Sequence, residues 1–143
     1  MHRIRPATAA DQGTIRQMVM REGLDPTTLK WQNFLVAERE SNPPLIVGIG
    51  QIKPYPAAPE LGSLVVLREY RGHGIAADLI AALEARAPRP LYLLCQNKME
   101  TYYGRFGYRR IPFAEAPRPL KLKLLPAFAF RLVGVRVIAM RKD

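Results

Sequence analysis

The plainest chemistry in this sequence is offered by Arg71-Gly72-His73-Gly74-Ile75-Ala76. Two glycines at the start of a helix let the backbone turn sharply and let a ligand approach the main chain closely. The first turn of any helix carries unpaired N–H groups and the positive end of the dipole, so it is ready to take an anion. Arg71 adds a full charge beside it, and a diphosphate is the natural occupant. The bland alternative is a strand-to-helix connection that binds nothing. The dinucleotide fingerprint is a poor match, because its third glycine is missing and no acidic residue ends a strand at the required distance after the helix. Other reactive residues are few. His73 brings an ionisable ring to the turn but reads best as a surface histidine. Cys95 ends an apolar strand and reads as a small buried residue rather than a nucleophile.

The elements around the turn follow from periodicity. Leu64-Val65-Val66-Leu67 is a β-branched apolar run of strand length, in a strand beginning near Glu60. Ile75, Leu79, Ile80 and Leu83 fall on one helical face, predicting a helix over 75–87 that ends before Pro88. Upstream, Ile4 to Ala7 reads as a short strand. A helix follows with Ile15, Met18 and Val19 on its apolar face, capped by Thr8 or Asp11 and stopping near Gly23. Thr27 to Gln32 is expected to form a short second helix, with Trp31 covering the core edge. Phe34–Glu38 and Leu45–Ile52 read as an antiparallel pair about a Pro43-Pro44 turn. Downstream, Leu91–Cys95 is a buried strand, and 98–106 a helix carrying Met99, Tyr102, Tyr103 and Phe106, stopped by Gly107. Pro112 to Pro119 reads as loop. Leu120, Leu122 and Leu124 alternate with Lys121 and Lys123, Pro126 interrupts, and Phe128 to Leu132 fits either period. Val135–Met140 is expected to be the final strand.

Arg71-x-x-Gly74-x-Ala76, after a strand and before an Ala-rich helix, resembles the (Q/R)-x-x-G-x-(G/A) motif of the GCN5-related N-acetyltransferase (GNAT) family. Tyr102-Tyr103-Gly104-Arg105-Phe106-Gly107-Tyr108 resembles that family's later F-Y-x-x-x-G-F signature, in the right order and at about the right distance. The resemblance is specific from about Glu60 to Tyr108 and covers nearly the whole chain in layout. It implies one α+β domain over residues 1–143 with the GNAT-type acyl-CoA N-acyltransferase fold, a central mixed, mostly antiparallel sheet flanked by helices. It implies acetyl-coenzyme A as cosubstrate, with no metal, and direct transfer of the acetyl group to a primary amine of a small molecule or protein.

Residue by residue, the resemblance places the diphosphate on the amides of Gly72, His73, Gly74, Ile75, Ala76 and Ala77. The pantetheine arm would pair like an extra strand with Leu64, Val65 and Val66, where backbone groups bind and side-chain identity matters little. The Val66 amide is then the candidate donor to the acetyl oxygen, a one-donor oxyanion hole. Tyr103 matches the tyrosine that commonly protonates the departing thiolate. Tyr102, its neighbour on the helix, is expected inside. Glu60 lies eleven positions before Arg71 and matches the glutamate of the histone-acetylating branch. It is either the base or a strand-end charge facing solvent. Asn97 resembles an asparagine that contacts pantetheine, although Gln96 fits the spacing better.

With 143 residues, 48% of them hydrophobic, the chain can bury a substantial core. No uncharged apolar run approaches a membrane span, and Met1 to Pro6 lacks the apolar core of a signal peptide. A single cysteine excludes an internal disulfide and fits a reducing, cytoplasmic setting. The net charge is +10, and residues 101–142 hold ten Lys or Arg against one acid, Glu115. A basic surface attracts phosphates, so part of this charge suits the coenzyme and part suits an acidic partner. Two rival readings follow. One is a non-catalytic basic module for nucleic acid or acidic membrane, with Phe128 and Phe130 seated on the lipid. The other is a catalytically silent family member that binds acetyl-coenzyme A as a sensor.

Overall fold

The structure, a computed structural model, describes residues 1–127 and 136–143. Among the described residues seven strands form a mixed sheet flanked by helices, and the chain divides into two compact units. The first comprises Met1–Lys53 and Leu61–Ala87; the second comprises Pro54–Glu60 and Pro88–Asp143.

In the first unit the strands β1 (His2–Pro6), β2 (Phe34–Arg39), β3 (Leu45–Lys53) and β4 (Glu60–Val66, whose first residue belongs to the second unit) run in that spatial order. β1 pairs antiparallel with β2, and β2 with β3, with Ile4 opposite Ala37 and Val36 opposite Ile49. The hairpin expected between β2 and β3 is present, with a register shift between Ala37 and Glu38. One face of these strands takes α1 (Gln12–Arg21): Ile15, Met18 and Val19 join Phe34, Val36, Ile49 and Val65 in one apolar cluster. The start of α1 is held by Asp11, which accepts from the Thr8 amide at 2.7 Å and from Arg5 Nη1 at 2.9 Å. The Arg5 hydrogen bond, with help from Thr8, holds the Asp11 carboxyl below its ordinary value.

The other face takes α2 (Ile75–Glu84), and two glycines decide how closely it sits. A Cβ at Gly48 would lie 2.9 Å from Ile75 Cγ2, and one at Gly50 would lie 2.9 Å from Leu83 Cδ1. A larger residue at either position would force the Ile75 or Leu83 side chain to shift and so loosen the seat of α2 on the sheet.

The short helix expected over Thr27 to Gln32 does not form. A single 3₁₀ turn, Trp31–Asn33, stands there instead. The Gln12 side chain explains the difference, since it takes the backbone groups a helix would have used. Its Nε2 donates to Leu29 O, and its Oε1 accepts from the Trp31 amide at 2.9 Å. Trp31 packs at the edge of the α1 cluster, as expected.

The second unit contains β5 (Leu91–Gln96), β6 (Arg109–Ile111) and β7 (Val137–Lys142), in the spatial order β5-β7-β6 with both pairings antiparallel. The helix expected over 98–106 is shorter than its periodicity suggests. A 3₁₀ turn at Asn97–Met99 leads into α3 (Glu100–Gly104), and Gly107 follows at φ 93°. β6 is a three-residue strand, too short to show a period.

The largest correction concerns the segment after Ala116. Arg118–Ala127 forms a helix, α4, where a loop followed by an alternating pattern was expected. Leu120 and Leu124 are buried with Tyr92, Ile111, Ala116 and Ala139, whereas Leu122 and Leu125 are exposed. Residues four apart share a face in a helix and in a strand alike, so the run Leu-Lys-Leu-Lys-Leu satisfies both periods. Pro126 does not interrupt; it sits in the last turn. Phe128, Phe130, the rest of the expected pattern to 133 and Val135 lie outside the described residues, and the final strand, β7, is described over Val137–Lys142.

Candidate functional site

β4 ends at Val66, a 3₁₀ turn over Arg68–Tyr70 leads from it into the glycine turn, and three contacts fix this junction. The Leu67 amide donates to Val47 O at 2.8 Å, tying β4 to β3. Arg71 Nε donates to Val66 O at 3.0 Å, and its Nη2 lies 3.5 Å from Glu22 Oε1. The Arg71 guanidinium thus braces the strand end as well as charging the turn. Val65 points into the α1 cluster, and Leu64 and Val66, on the opposite face, are half-buried.

Gly72 and Gly74 both lie in the left-handed region, at φ 83° and φ 78°. A residue with a Cβ would add roughly 1–2 kcal/mol of strain at each. Nothing lies within 4 Å of the Cβ that either would carry, so the turn is open on its outer side. Gly74 is the N-cap of α2, and no side chain caps that helix. Its first-turn amides therefore retain their hydrogen-bonding capacity for a ligand. Ile75 is buried in the core, Ala76 and Ala77 are half-buried, and Gly72 and His73 are exposed. His73 is a surface histidine, as its place in the turn suggested.

The second unit carries the residues expected to do proton chemistry. Glu60 does not face solvent, one of the two readings open from sequence. It is 4% exposed, and Lys123 Nζ from α4 donates to its Oε1 at 3.0 Å. A carboxylate at that depth requires such a partner. The same ammonium sits 4.8 Å from the centre of the Tyr55 ring. Sequence reasoning missed Lys123, because nothing in a Leu-Lys alternation points to a partner 63 residues away.

Tyr103 and Tyr102 are both half-buried, so Tyr102 is less enclosed than the inside position expected of it. Their rings meet edge to face at 5.2 Å, and Tyr102 also touches Phe106 and lies beneath Arg105. Tyr103 packs edge-on against Tyr108. Burial, reinforced by Cys95 and Tyr102, pushes the Tyr103 phenol up to about 12. Burial and the charge of Glu100 likewise push the Cys95 thiol up to about 12, and its Sγ lies 3.8 Å from Met140 Sδ. A thiol that holds its proton through the neutral range is no nucleophile, in line with the structural role expected of it. Asn97 and Gln96 are both exposed where β5 ends, and the Asn97 amide donates to Arg136 O at 2.9 Å.

A further polar group, in the first unit, was not singled out from sequence. Gln51 and Lys53 on β3 are fully buried, and Ser63 on β4 is 9% exposed. Gln51 Nε2 donates to Ser63 Oγ at 2.8 Å, but Gln51 Oε1 is buried with no hydrogen-bond partner. An unmade hydrogen bond of this kind costs about 1–3 kcal/mol. Ser63 itself has φ 52°, a left-handed residue inside a strand. Lys53 Nζ donates to Asp25 Oδ2 at 2.9 Å, and Thr27 donates to the other carboxylate oxygen. Burial opposes the charge on Asp25, but the Thr27 and Lys53 hydrogen bonds outweigh it and hold the carboxyl well below its ordinary range. The signal available in the sequence was Gln and Lys at alternate positions of an otherwise apolar strand.

Comparison with known proteins agrees with this architecture. The family model described as acetyltransferase (GNAT) domain matches residues 30–110, more than half of the chain, and the protein belongs to that family. The match contains β4, the turn, α2 and the Tyr102–Tyr108 segment. No curated protein matches the sequence. Among solved structures, N-acetylglutamate synthase from Neisseria gonorrhoeae, complexed with coenzyme A and N-acetyl-glutamate, superimposes with a TM-score of 0.78 at 16% identity. That alignment covers 99% of this chain and 35% of the other, so the chain spans about a third of the synthase's length. Rv2747 from Mycobacterium tuberculosis, solved with coenzyme A, gives a TM-score of 0.76 at 20% identity, covering 98% of each chain. Escherichia coli ElaA gives 0.69 at 14% identity over the full length of both. At these identities the likeness is one of fold. Among the described residues no helix is long and apolar enough to cross a membrane.

Proposed function

We propose that this protein is an acetyl-coenzyme A-dependent N-acetyltransferase that passes the acetyl group directly to a primary amine. The observation that carries the reading is the open turn, with glycines at φ 83° and φ 78° before a ten-residue helix that no side chain caps. The amides of residues 72–77 suit a diphosphate, and the neighbouring coenzyme-bound structures belong to proteins of the same fold. Leu64, Val65 and Val66 would receive the pantetheine arm as an added strand, with Val66 N–H directed at the acetyl oxygen. Asn97 is the candidate for a further pantetheine contact.

Tyr103 is the proposed acid. At about 12 its phenol stays protonated through the neutral range and is available whenever the thiolate departs. A free thiol of the cysteine type has a pKa of about 8.5, so the phenol is the weaker acid. Full passage of the proton to the thiolate is uphill by that difference, so its contribution is a strong hydrogen bond to the sulfur as negative charge develops. Glu60 is the proposed base, accepting the amine's proton through water. Its ion pair with Lys123 sets a counter-charge beside the buried carboxylate and ties it to α4.

The test is thermal stabilisation by acetyl-coenzyme A, followed by an amine panel monitored for free thiol. Stabilisation together with amine-dependent thiol release is expected. Stabilisation without release from any amine would leave a coenzyme-binding protein with no transferase activity. No stabilisation at all would remove the coenzyme reading.

A further inference from the structure

We propose that Gln51 reads the acceptor: its Oε1 takes a hydrogen bond from an N–H group of the bound substrate, selecting polar amines that carry a second N–H donor, such as an amide or guanidinium. The inference rests on the transferase reading and deepens it by assigning a substrate class.

Gln51 Oε1 is the described buried side-chain oxygen or nitrogen that has no hydrogen-bond partner. Buried carbonyl oxygens in folded proteins are almost always paired, so one left open calls for a donor from outside the fold. The amide cannot satisfy itself by moving freely, because its Nε2 is engaged with Ser63 Oγ at 2.8 Å and the residue is fully buried. As placed in the structure, the nitrogen faces Ser63 on β4 and the oxygen lies away from that bond. A carbonyl oxygen accepts and cannot donate, so the group it selects is an N–H or O–H.

Three features connect this oxygen to the acceptor. Ser63 immediately precedes Leu64, the first residue proposed to pair with the pantetheine arm, so the Gln51–Ser63 bond lies beside the strand segment assigned to the thioester. Ser63 is held at φ 52°, and left-handed residues within strands collect at functional sites. The surface is also polar by construction. Ile49 and Val65 join the apolar α1 cluster, but the next residues along the same face of the two strands are Gln51, Lys53 and Ser63. A packed core would have continued with aliphatic side chains. Lys53 is bound to Asp25, in the segment between α1 and β2, so that segment is anchored over the polar end of the sheet by an ion pair. An acceptor admitted there meets hydrogen-bonding groups rather than an aromatic or aliphatic wall, which favours polar amines over arylamines.

The experiment compares glycinamide and agmatine, which carry a second N–H donor, with n-butylamine, which does not. Thiol release from acetyl-coenzyme A is measured for the wild type, Gln51→Leu and Gln51→Met. The expected wild-type result is a higher kcat/KM for the two donor-bearing amines than for n-butylamine. In both variants that ratio should fall about tenfold or more, the size of one lost hydrogen bond, with KM for acetyl-coenzyme A unchanged. The methionine variant, nearly isosteric, guards against a leucine variant that fails to fold. In parallel, amine binding to the coenzyme-loaded protein is read by thermal shift, which needs no turnover. If amines bind and Gln51→Met abolishes the donor preference without any thiol release, the transferase reading fails and the Gln51 assignment stands. An unchanged ratio in both variants, or no binding of any of the three amines, overturns the assignment and leaves the oxygen to an internal water.

Discussion

The turn between β4 and α2 is built from backbone, whereas the Glu60 and Tyr103 sites are built from side chains, and the two kinds of site differ in what fixes them. At the turn, two left-handed glycines and an uncapped helix set the positions of the amides, and one arginine braces the strand end. Changes of side chain there matter when they alter conformation or fill the open space. Glu60 instead depends on Lys123 from a distant helix, and Tyr103 on the aromatic neighbours that bury it. A backbone site is encoded locally and a side-chain site is encoded by the whole fold. Substitutions can separate them, since damage to the second region should spare coenzyme binding.

The largest expected effect is on turnover. Tyr103→Phe removes the hydroxyl and keeps the ring contacts with Tyr102 and Tyr108. It is expected to lower kcat by about 10²–10⁴-fold, the usual range for general acid–base catalysis, while coenzyme affinity by calorimetry stays within about twofold. Because burial holds the phenol near 12, the wild-type rate should show no alkaline loss assignable to Tyr103 between neutral pH and about 10. Full turnover in the variant, with chemistry limiting, would remove Tyr103 from the reaction.

A smaller effect is expected at the ion pair. Lys123→Met takes the ammonium from a carboxylate that is 4% exposed. The expected loss in urea unfolding is about 1–3 kcal/mol, short of the full cost of a buried unpaired charge because the Lys123 side chain is partly open to water. Adding Glu60→Gln should recover part of that loss, since the amide needs no counter-charge. A single variant as stable as the wild type would mean that the pair contributes nothing, and that the burial of Glu60 is sustained by other contacts.

How much of this was legible in the sequence follows the same division. The turn was readable because glycine is the residue that tolerates left-handed backbone, so Gly72 and Gly74 announce their conformation directly. α1, α2 and the β2–β3 hairpin were readable because each carries a clear period. α4 was not, because Leu120 and Leu124 satisfy strand and helix spacing equally and the choice is made by Tyr92, Ile111 and Ala139, which receive them. The helix expected over 27–32 failed for a related reason. Its backbone groups are claimed by Gln12, which no local pattern reveals. The Glu60–Lys123 pair and the unpaired oxygen of Gln51 are likewise tertiary facts, visible once strands and helices are placed.

If the open turn holds the diphosphate of acetyl-coenzyme A, Ala76→Glu strikes at that contact. Ala76 is half-buried in the first turn of α2, so glutamate there sets bulk and negative charge against the bound phosphates. Calorimetric titration with acetyl-coenzyme A should show affinity reduced at least about tenfold, with the urea midpoint of the free protein nearly unchanged. Coenzyme affinity equal to that of the wild type would contradict the claim and leave the turn as an ordinary link between a strand and a helix.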